Sequence, residues 1–283
     1  MGRFFIIGAT GYIGQKLYSK CLSLDIDVVG TSSKDLKNFL YLDLADTKKS
    51  TISFHSSDVI FFTSSISSPD LCENQNNYAR NVNITGTSEV IKVALGAGAK
   101  VIFFSSDTVY GEMESDFKEG ENPNPYGAYA EMKQTVESLF LGNPLFKSIR
   151  LSYVFSKEDR FSDYLVNCAN NNEEAEVFHP FFRSIIFRDD VIQGVLALAT
   201  RWDEIPEKII NFGGPEVLSR IDFAKCLIRT SLTELTIRIV EPEPVFFKNR
   251  PRVIAMKSPV LERILGRKLL TLCDASRLEF GSD

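Results

Sequence analysis

The N-terminal stretch Phe4-Phe5-Ile6-Ile7-Gly8-Ala9-Thr10-Gly11-Tyr12-Ile13-Gly14 decides the fold of this chain. Its four leading apolar residues are typical of a buried strand, and Ile13, Leu17 and Cys21 then recur at the spacing of one helical face. The glycines between strand and helix form a GxxGxxG turn, which lets a pyrophosphate approach the backbone at a helix N-terminus. In this context the glycine triplet predicts a dinucleotide-binding unit; the alternative is a tight turn without a ligand.

Apolar runs and helical periodicity alternate through the first half of the chain. This pattern is typical of βαβ units and predicts an α/β fold with a Rossmann-type doubly wound parallel sheet. Beyond residue 151 the alternation loosens, so we predict a nucleotide-binding domain over residues 1–151 and a smaller C-terminal lobe over 152–283. Segments within about 185–212 are expected to return to the first domain. The predicted strands are 4–7, 27–29, 39–42, 59–62, 101–104 and 148–151, and later helices are predicted over 82–95 and about 126–141.

Three segments of the second half carry weaker patterns. The polar run 170–174 predicts a helix end or a loop, and residues 235–240 alternate in the manner of an exposed strand. Residues 277–283 lack helical periodicity, so we expect a frayed tail.

The composition is that of a globular chain with dispersed charge. Of 283 residues, 44% are hydrophobic, and 32 basic against 37 acidic side chains give a net charge of −5. This balance predicts no nucleic-acid-binding surface and no polybasic membrane contact. No apolar run reaches the roughly 18 residues that a membrane span needs, and we expect a cytoplasmic protein.

The cysteines and histidines predict neither a disulfide framework nor a metal site. The cysteines are far apart and form no CxxC pair, which is typical of a chain in a reducing cytosol. His55 and His179 have no carboxylate or thiol partners close in sequence, so we expect no metal ligands. The five cysteines are Cys21, Cys72, Cys168, Cys226 and Cys273.

The end of the second predicted strand bears on the choice of dinucleotide. NAD-binding folds usually carry Asp or Glu about 20 residues after the glycines, where the carboxylate accepts hydrogen bonds from the ribose 2′-hydroxyl. Ser32 occupies that place here, and Ser33 and Lys34 follow it. Because these three side chains can donate to a 2′-phosphate, we predict NADP(H) as the preferred cofactor and NAD(H) as the alternative. A solvated loop lysine is the other interpretation of Lys34.

Two motifs at the carboxyl edge of the predicted sheet carry acid–base chemistry. Tyr129 and Lys133 stand at i and i+4 on one helical face, and Ser106-Asp107 follows the fifth predicted strand. A tyrosine of ordinary pKa near 10 is a poor proton carrier at neutral pH, and lowering that pKa toward 7 takes about 4 kcal/mol. A neighbouring lysine and an oxidised nicotinamide are sources of such stabilisation.

With these motifs the chain resembles an extended short-chain dehydrogenase/reductase, and within that family the dTDP-4-dehydrorhamnose reductase-like group of sugar-nucleotide reductases. The resemblance covers nearly the whole chain. Its landmarks are the turn Gly8/Gly11/Gly14, Asp43-Leu44, the segments 81–87 and 106–111, Tyr129/Lys133 with Glu137, Asn211-Phe212-Gly213-Gly214-Pro215-Glu216, Arg250-Pro251-Arg252 and the segment 261–266.

The resemblance implies a catalytic set of Ser106, Tyr129 and Lys133. Tyr126-Gly127 imitates the family's common Tyr-Gly-x-x-Lys, but the residue four positions after Tyr126 is Ala130. Only Tyr129 has a lysine one turn later, so Tyr126 is expected to pack or to line a pocket.

The same resemblance implies the binding residues. Asp43 is expected near the adenine, while Arg183 and Arg250 are expected near the phosphates of a nucleotide-sugar substrate bound in the C-terminal lobe. A surface arginine is the alternative for Arg183, and a homodimer through the helices of Asn83 and Tyr129 is a further expectation. The implied cofactor-binding residues are Gly8, Thr10, Gly11, Tyr12, Ile13, Gly14, Ser32, Ser33, Lys34, Asp43, Leu44, Asn83, Tyr129 and Lys133, and the implied substrate-binding residues are Ser106, Asp107, Arg183 and Arg250.

Several activities use this scaffold. A 4,6-dehydratase usually carries Glu after the Asp, where this chain has Thr108, and Ser32 counts against a 4-epimerase with tightly held NAD. The sequence therefore favours NADPH-dependent reduction of the 4-keto group of a nucleotide-linked 4-keto-6-deoxyhexose. The alternatives are a 4-epimerase and, because the group includes the regulatory subunit of methionine adenosyltransferase, a non-catalytic dinucleotide-binding subunit.

Overall fold

The computed structural model describes residues 2–281, without the side chains of residues 113–115. The strands are β1 (Phe4–Ile7), β2 (Val28–Ser32), β3 (Leu40–Tyr41), β4 (Val59–Phe62), β5 (Lys100–Ser106), β6 (Met113–Phe117), β7 (Phe146–Leu151), β8 (Val154–Phe155), β9 (Ala175–Phe178), β10 (Phe182–Ser184), β11 (Ile186–Phe187), β12 (Ile209–Phe212), β13 (Val217–Ser219), β14 (Ile237–Val240) and β15 (Val253–Met256). The α-helices are α1 (Tyr12–Ser23), α2 (Pro69–Asn74), α3 (Asn76–Arg80), α4 (Thr87–Gly96), α5 (Ala128–Phe140), α6 (Arg160–Asn171), α7 (Arg188–Thr200), α8 (Arg220–Thr230), α9 (Pro259–Leu265) and α10 (Leu272–Phe280).

A seven-stranded sheet forms the larger part of the molecule, in the order β12-β7-β5-β4-β1-β2-β3. Every neighbouring pair in it is parallel. All four residues of β1 and all four of β4 are buried, as expected for strands covered by helices on both faces. The order reverses direction on either side of β1, so the prediction of a Rossmann-type doubly wound parallel sheet is confirmed.

The C-terminal half contributes strands to the large sheet and to a smaller sheet outside it. Its strand β12 pairs with β7 at the edge of the large sheet. A four-stranded sheet of order β13-β10-β15-β6 lies outside it. A separate apolar cluster, which includes Phe155, Phe161, Phe223 and Leu227, forms the core of this lobe.

Element boundaries differ from the sequence predictions in the first half. Strand β2 continues to Ser32 because it pairs with β1 on one side and with β3 on the other. The helix predicted over 82–95 is α4 preceded by a π-helical turn at Asn81–Gly86. A Cβ at Gly86 would lie 1.9 Å from the Leu44 carbonyl oxygen, so this turn packs directly on backbone. Helix α5 begins at Ala128, after Gly127 with a φ of +85°.

Two predictions about the C-terminal segment are wrong. The frayed tail expected over 277–283 is contradicted for residues 277–280, while 282 and 283 lie outside the described residues. Residues 272–280 form α10, and the Thr271 hydroxyl caps it by accepting a hydrogen bond from the Asp274 backbone N–H. The chain also pairs Cys226 with Cys273 as a disulfide across 47 positions, whereas the sequence predicted no pairing. Both outcomes have one cause: α10 packs beside α8, and this contact orders the tail and brings the two thiols together.

A buried ion pair joins α5 to the large sheet. Arg150 Nη2 lies 2.7 Å from Glu137 Oε2, and both side chains are almost fully buried. The Ser148 hydroxyl donates to Glu137 Oε1 at 2.8 Å, and Arg150 Nε donates to the same oxygen at 3.2 Å. The carboxylate of α5 is thereby fixed on two residues of β7.

Among the described residues, no helix combines the length and apolar character that crossing a bilayer requires.

Replacing Glu137 with alanine should destabilise the protein by about 3–5 kcal/mol, because it leaves Arg150 buried without a counter-charge. The measurement is urea unfolding of wild type and variant. Glu131→Ala is the matched control, since Glu131 lies exposed on the same helix and its loss should change the free energy of unfolding by less than about 0.5 kcal/mol. Equal losses in the two variants would contradict the role given to the ion pair.

Candidate active site

The glycine-rich turn brings helix α1 against the end of β1. Gly8 has a φ of +90°, and a Cβ there would meet Ser64 at 2.9 Å. A Cβ at Gly14 would lie 2.2 Å from the Gly8 carbonyl oxygen, so only glycine permits this packing. Gly11 precedes α1 without a side-chain cap, which leaves the first N–H groups of the helix without a side-chain acceptor. These N–H groups and the helix dipole favour an anion at the turn.

A cleft of about 270 Å³ opens over this turn. In it, the Ser32 hydroxyl accepts the backbone N–H of Lys34 at 3.0 Å, and Asp43 Oδ1 accepts that of Ala45 at 2.9 Å. Ser33 and Lys34 are exposed beyond the end of β2. The cleft is lined by Gly8, Thr10, Gly11, Thr31, Ser32, Ser33, Leu42, Asp43, Leu44, Ser64, Ser65, Ile66, Tyr78 and Val82.

The residues of this cleft fit a dinucleotide. The glycines leave the space that a pyrophosphate needs, because side chains at Gly8 and Gly14 would fill it or push its walls apart. A hydroxyl stands at the end of the second strand, where an adenosine ribose would lie. Ser105, which lines the neighbouring cleft, has a buried Oγ with no partner among the described residues.

The neighbouring cleft has a volume of about 640 Å³ and lies at the carboxyl ends of β5 and β7. It brings together six residues that the sequence predicts for cofactor or substrate: Tyr12, Ile13, Ser106, Asp107, Tyr129 and Arg183. Its other lining residues are Ser67, Ser105, Leu151, Ser152, Tyr153, Val154, Glu158, Asp159, Arg160 and Phe181. In open α/β sheets, ligands bind beyond the carboxyl ends of the strands, close to the point where the strand order reverses.

Tyr129 and Lys133 lie one turn apart on α5, with Tyr129 on the cleft wall and Lys133 buried behind it. Lys133 Nζ is 5.7 Å from the centre of the Tyr129 ring, and it donates to the Phe104 carbonyl oxygen at 2.7 Å. Burial lowers the pKa of Lys133 to about 7, and the Glu137 carboxylate opposes this shift. Burial raises the pKa of Tyr129 above its usual value, while the Ser65 side chain opposes the rise. The protein alone therefore holds Tyr129 as a protonated phenol, in contrast to the lowered pKa considered from the sequence.

Ser106 lies at the centre of a hydroxyl network at the end of β5. Its Oγ donates to Asp107 Oδ1 at 3.2 Å and accepts from both the N–H and the hydroxyl of Thr108, at 3.2 and 2.9 Å. The Thr108 hydroxyl can rotate away, which would leave one lone pair of Ser106 Oγ open to another donor. A substrate oxygen near Tyr129 would be within the same cleft as Ser106.

Asp107 is a buried carboxyl group of this cleft. Ser152 Oγ donates to its Oδ2 at 2.8 Å, and Arg183 Nε lies 3.8 Å from that oxygen. Burial raises the pKa of Asp107, while the Arg183 guanidinium and the two serine hydroxyls oppose the rise. The Arg183 side chain is itself buried, and its Nη2 donates to the Pro251 carbonyl oxygen at 2.8 Å.

Several residues singled out from the sequence do not line either cleft; Gly14 and Lys133 lie behind the cleft walls, and four others have different surroundings. Arg250 forms a bidentate ion pair with Asp70 of α2, at 2.6 and 2.8 Å. Asn83 holds the loop after β4, since its side chain exchanges two hydrogen bonds with the Ile66 backbone. Tyr126 donates to the Phe247 carbonyl oxygen at 3.1 Å, as expected of a packing residue. Lys34 lies exposed beside the first cleft.

Sequence reasoning missed the loop 156–160 and the serines after β4. Asp159 accepts the Tyr153 hydroxyl at 2.6 Å and the backbone N–H groups of Phe161 and Ser162, which caps α6. An aspartate followed by an amphipathic segment was the available signal for that cap. Ser64 and Ser65 carry no such signal, because only the parallel pairing of β4 with β1 brings them over the glycine turn.

A doubly wound parallel sheet with a glycine-rich turn, and with Ser106, Tyr129 and Lys133 at one edge, defines an extended short-chain dehydrogenase/reductase type of fold. The family model described as RmlD substrate binding domain matches residues 2–270, and the chain belongs to that family. The resemblance to the dTDP-4-dehydrorhamnose reductase-like group is thereby confirmed.

Three relatives illustrate the range of this family and fold. The Xenopus tropicalis protein called methionine adenosyltransferase 2 subunit beta is 26% identical over 93% of this chain and 82% of its own length. A hypothetical dTDP-4-dehydrorhamnose reductase from Sulfolobus tokodaii has a TM-score of 0.81 at 22% identity, covering 97% of this chain and 99% of that one. UDP-glucuronic acid 4-epimerase from Bacillus cereus, in complex with UDP-glucuronic acid and NAD, has a TM-score of 0.80 at 19% identity, covering 99% and 98%.

The buried Lys133 should make stability pH-dependent. Its folded pKa of about 7 lies below the unfolded value near 10.4, so the unfolded chain binds more protons between these limits and stability rises with pH there. Lys133→Met removes this contribution. The free energy of unfolding of wild type minus that of the variant should therefore increase by about 2 kcal/mol from pH 7 to pH 9.

Urea unfolding at the two pH values measures this difference. Lys92→Met, on the exposed face of α4, is the matched control for the loss of a lysine. A difference between wild type and Lys133→Met that stays constant with pH would show that Lys133 is charged in the folded protein at neutral pH.

Proposed function

We propose that the protein reduces the 4-keto group of a nucleotide-linked 4-keto-6-deoxyhexose with NADPH. The observation that carries this proposal is the placement of Ser106 and Tyr129 on one cleft, with Lys133 buried one helical turn behind the tyrosine. In this proposal residues 1–151 hold the dinucleotide and the lobe over 152–283 holds most of the substrate.

The proposed chemistry follows from the protonation and hydrogen bonding of Ser106, Tyr129 and Lys133. When bound, the reduced nicotinamide supplies the hydride that the ketone carbon accepts. Tyr129, held protonated by its burial, donates its phenolic proton to the oxygen as negative charge develops there. Ser106 turns its hydroxyl from Asp107 to that same oxygen, while the N–H and hydroxyl of Thr108 keep its position. Lys133 in its protonated form supplies positive charge behind Tyr129 and stabilises the phenolate left after transfer.

Two features favour reduction over the other activities of this scaffold. Thr108 makes its hydrogen bond to Ser106, and it carries no carboxylate that could remove a proton from the sugar as a dehydratase requires. The hydroxyl of Ser32 at the end of β2 favours a 2′-phosphate, which suits a reductant that is consumed and exchanged. The solved relative from Sulfolobus tokodaii carries the name of a reductase of this class.

Tyr129→Phe should lower turnover by at least about 100-fold, because it removes the proton donor and leaves the ring in place. The measurement is loss of NADPH absorbance with dTDP-4-keto-6-deoxyglucose or its epimerised form. NADPH binding, followed by fluorescence, should change little. Tyr126→Phe is the matched control, since that hydroxyl bonds the Phe247 carbonyl outside the cleft. Full activity of Tyr129→Phe would refute the assignment.

Ser32→Asp should shift the cofactor preference toward NADH. A carboxylate at this place accepts the 2′-hydroxyl of NADH and repels the 2′-phosphate of NADPH. The measured quantity is the ratio of kcat/KM for NADPH to that for NADH, which should fall at least about tenfold. The preference for NADPH is attributed both to the missing carboxylate at position 32 and to the positive charge of Lys34. Lys34→Met tests the second contribution alone, because it removes the charge and introduces no carboxylate. A wild type that prefers NADH would contradict the proposed preference.

A second candidate function is that of a non-catalytic dinucleotide-binding subunit. The observation in its favour is the 26% identity with methionine adenosyltransferase 2 subunit beta over most of both chains. Co-elution with a methionine adenosyltransferase catalytic subunit, together with no ketone reduction across dTDP- and GDP-linked sugars, would favour this function. Tyr129→Phe should then leave the co-elution unchanged.

A further inference from the structure

A second cavity, of about 390 Å³, continues into the C-terminal lobe from the cleft that Ser106 and Tyr129 line. Tyr153 and Arg160 line both spaces, so a single ligand can extend from one into the other. Phe178 and Arg220 line only the far cavity. The cavity is thus a combined aromatic and cationic site beyond the reacting groups.

Arg220 lies in this cavity among aromatic rings. Its guanidinium carbon lies 4.7 Å from the ring centre of Phe161, 5.2 Å from that of Phe181 and 5.9 Å from that of Phe178. Within residues 2–281, and apart from the side chains of 113–115, its guanidinium makes no hydrogen bond or ion pair. Burial among these rings lowers the pKa of Arg220 from the usual value, and the nearby Asp159 carboxylate opposes this shift. The side chain of Arg160 likewise has no polar partner in that part of the chain, and it is exposed.

The carboxylates around this cavity are already engaged. Glu176 pairs with Arg238, and Asp159 accepts the Tyr153 hydroxyl together with the N–H groups that begin α6. The anionic groups nearest Arg220 therefore have their own donors, which leaves its five N–H groups for a ligand.

The arginines expected from the family resemblance are engaged as well. Arg250 is held by both carboxylate oxygens of Asp70. Arg183 donates through Nη1 and Nη2 to the backbone oxygens of Phe182 and Pro251. Of the arginines named at this end of the molecule, Arg220 and Arg160 have donors available without breaking an existing bond.

We propose that Arg220, assisted by Arg160, binds the diphosphate of the substrate, with the nucleoside base against the rings of Phe161 and Phe178. A guanidinium fork matches phosphate oxygens, and the aromatic walls exclude water from that contact. The inference rests on the proposed function for the identity of the ligand as a nucleotide-linked sugar. It assigns substrate affinity to the first residue of α8, where the resemblance assigned it to Arg250.

The test combines steady-state kinetics with direct binding of dTDP and UDP by calorimetry. Arg220→Met should raise KM for the nucleotide sugar at least tenfold and change kcat less than threefold. It should weaken binding of both nucleoside diphosphates by the same factor as KM. Arg160→Met should raise KM by a smaller factor, and because Arg160 is exposed this variant does not depend on core packing. Arg263→Met, an exposed arginine paired with Glu207 far from the cleft, is the matched control.

The outcomes separate this inference from the proposed function. Ketone reduction with unchanged KM in Arg220→Met, or a large loss of affinity in Arg250→Met alone, would overturn the inference and leave the function standing. Nucleoside diphosphate binding that depends on Arg220, without ketone reduction, would support the inference and refute the reductase. No binding of dTDP or UDP by the wild type would overturn the inference.

Discussion

The buried ion pair between Glu137 and Arg150 is the contact on which the candidate active site depends. It fixes α5 to β7, and α5 carries both Tyr129 and Lys133. The guanidinium of Arg150 also lies 4.4 Å from the ring centre of Tyr110, whose hydroxyl donates to Asn211 of β12 at 2.7 Å. One buried polar network therefore connects α5, the central sheet and the edge strand that the C-terminal half contributes. Such a network is costly to break at any member, because each remaining polar group stays buried.

Burial acts in opposite directions on the two titrating groups of α5. It disfavours the charged form of each, so it lowers the pKa of Lys133 and raises that of Tyr129. A phenol that stays protonated suits a reaction in which the substrate oxygen gains a proton. The same low-polarity surroundings make a developing negative charge sensitive to the nearby hydroxyl of Ser106 and to the charge on Lys133. The site thus favours proton donation over proton removal in the absence of a bound dinucleotide.

Sequence reasoning succeeded where the pattern is local and failed where packing decides. Strand β1 and helix α1 follow from contiguous apolar residues and a helical repeat, and the structure has both. Helix α10 was missed because its buried face includes the small residues Ala275 and Ser276, which give little periodic signal until α8 covers them. The partners of Arg250 and Arg220 were equally hidden: Asp70 is 180 positions from Arg250, and the rings around Arg220 come from α6 and from the segment 178–181, both remote from Arg220 along the chain.

By itself the sequence determined the class of fold, the glycine turn and the spacing of Tyr129 and Lys133. These are short-range properties, set by the periods of strands and helices and by the few residues that a turn tolerates. Only the tertiary structure decided that Arg250 is engaged by Asp70 while Arg220 lies among aromatic rings, that Tyr129 is held protonated, and that Cys226 meets Cys273. Those properties depend on distances between residues remote along the chain and on how much water each group loses, and neither quantity is contained in a local pattern.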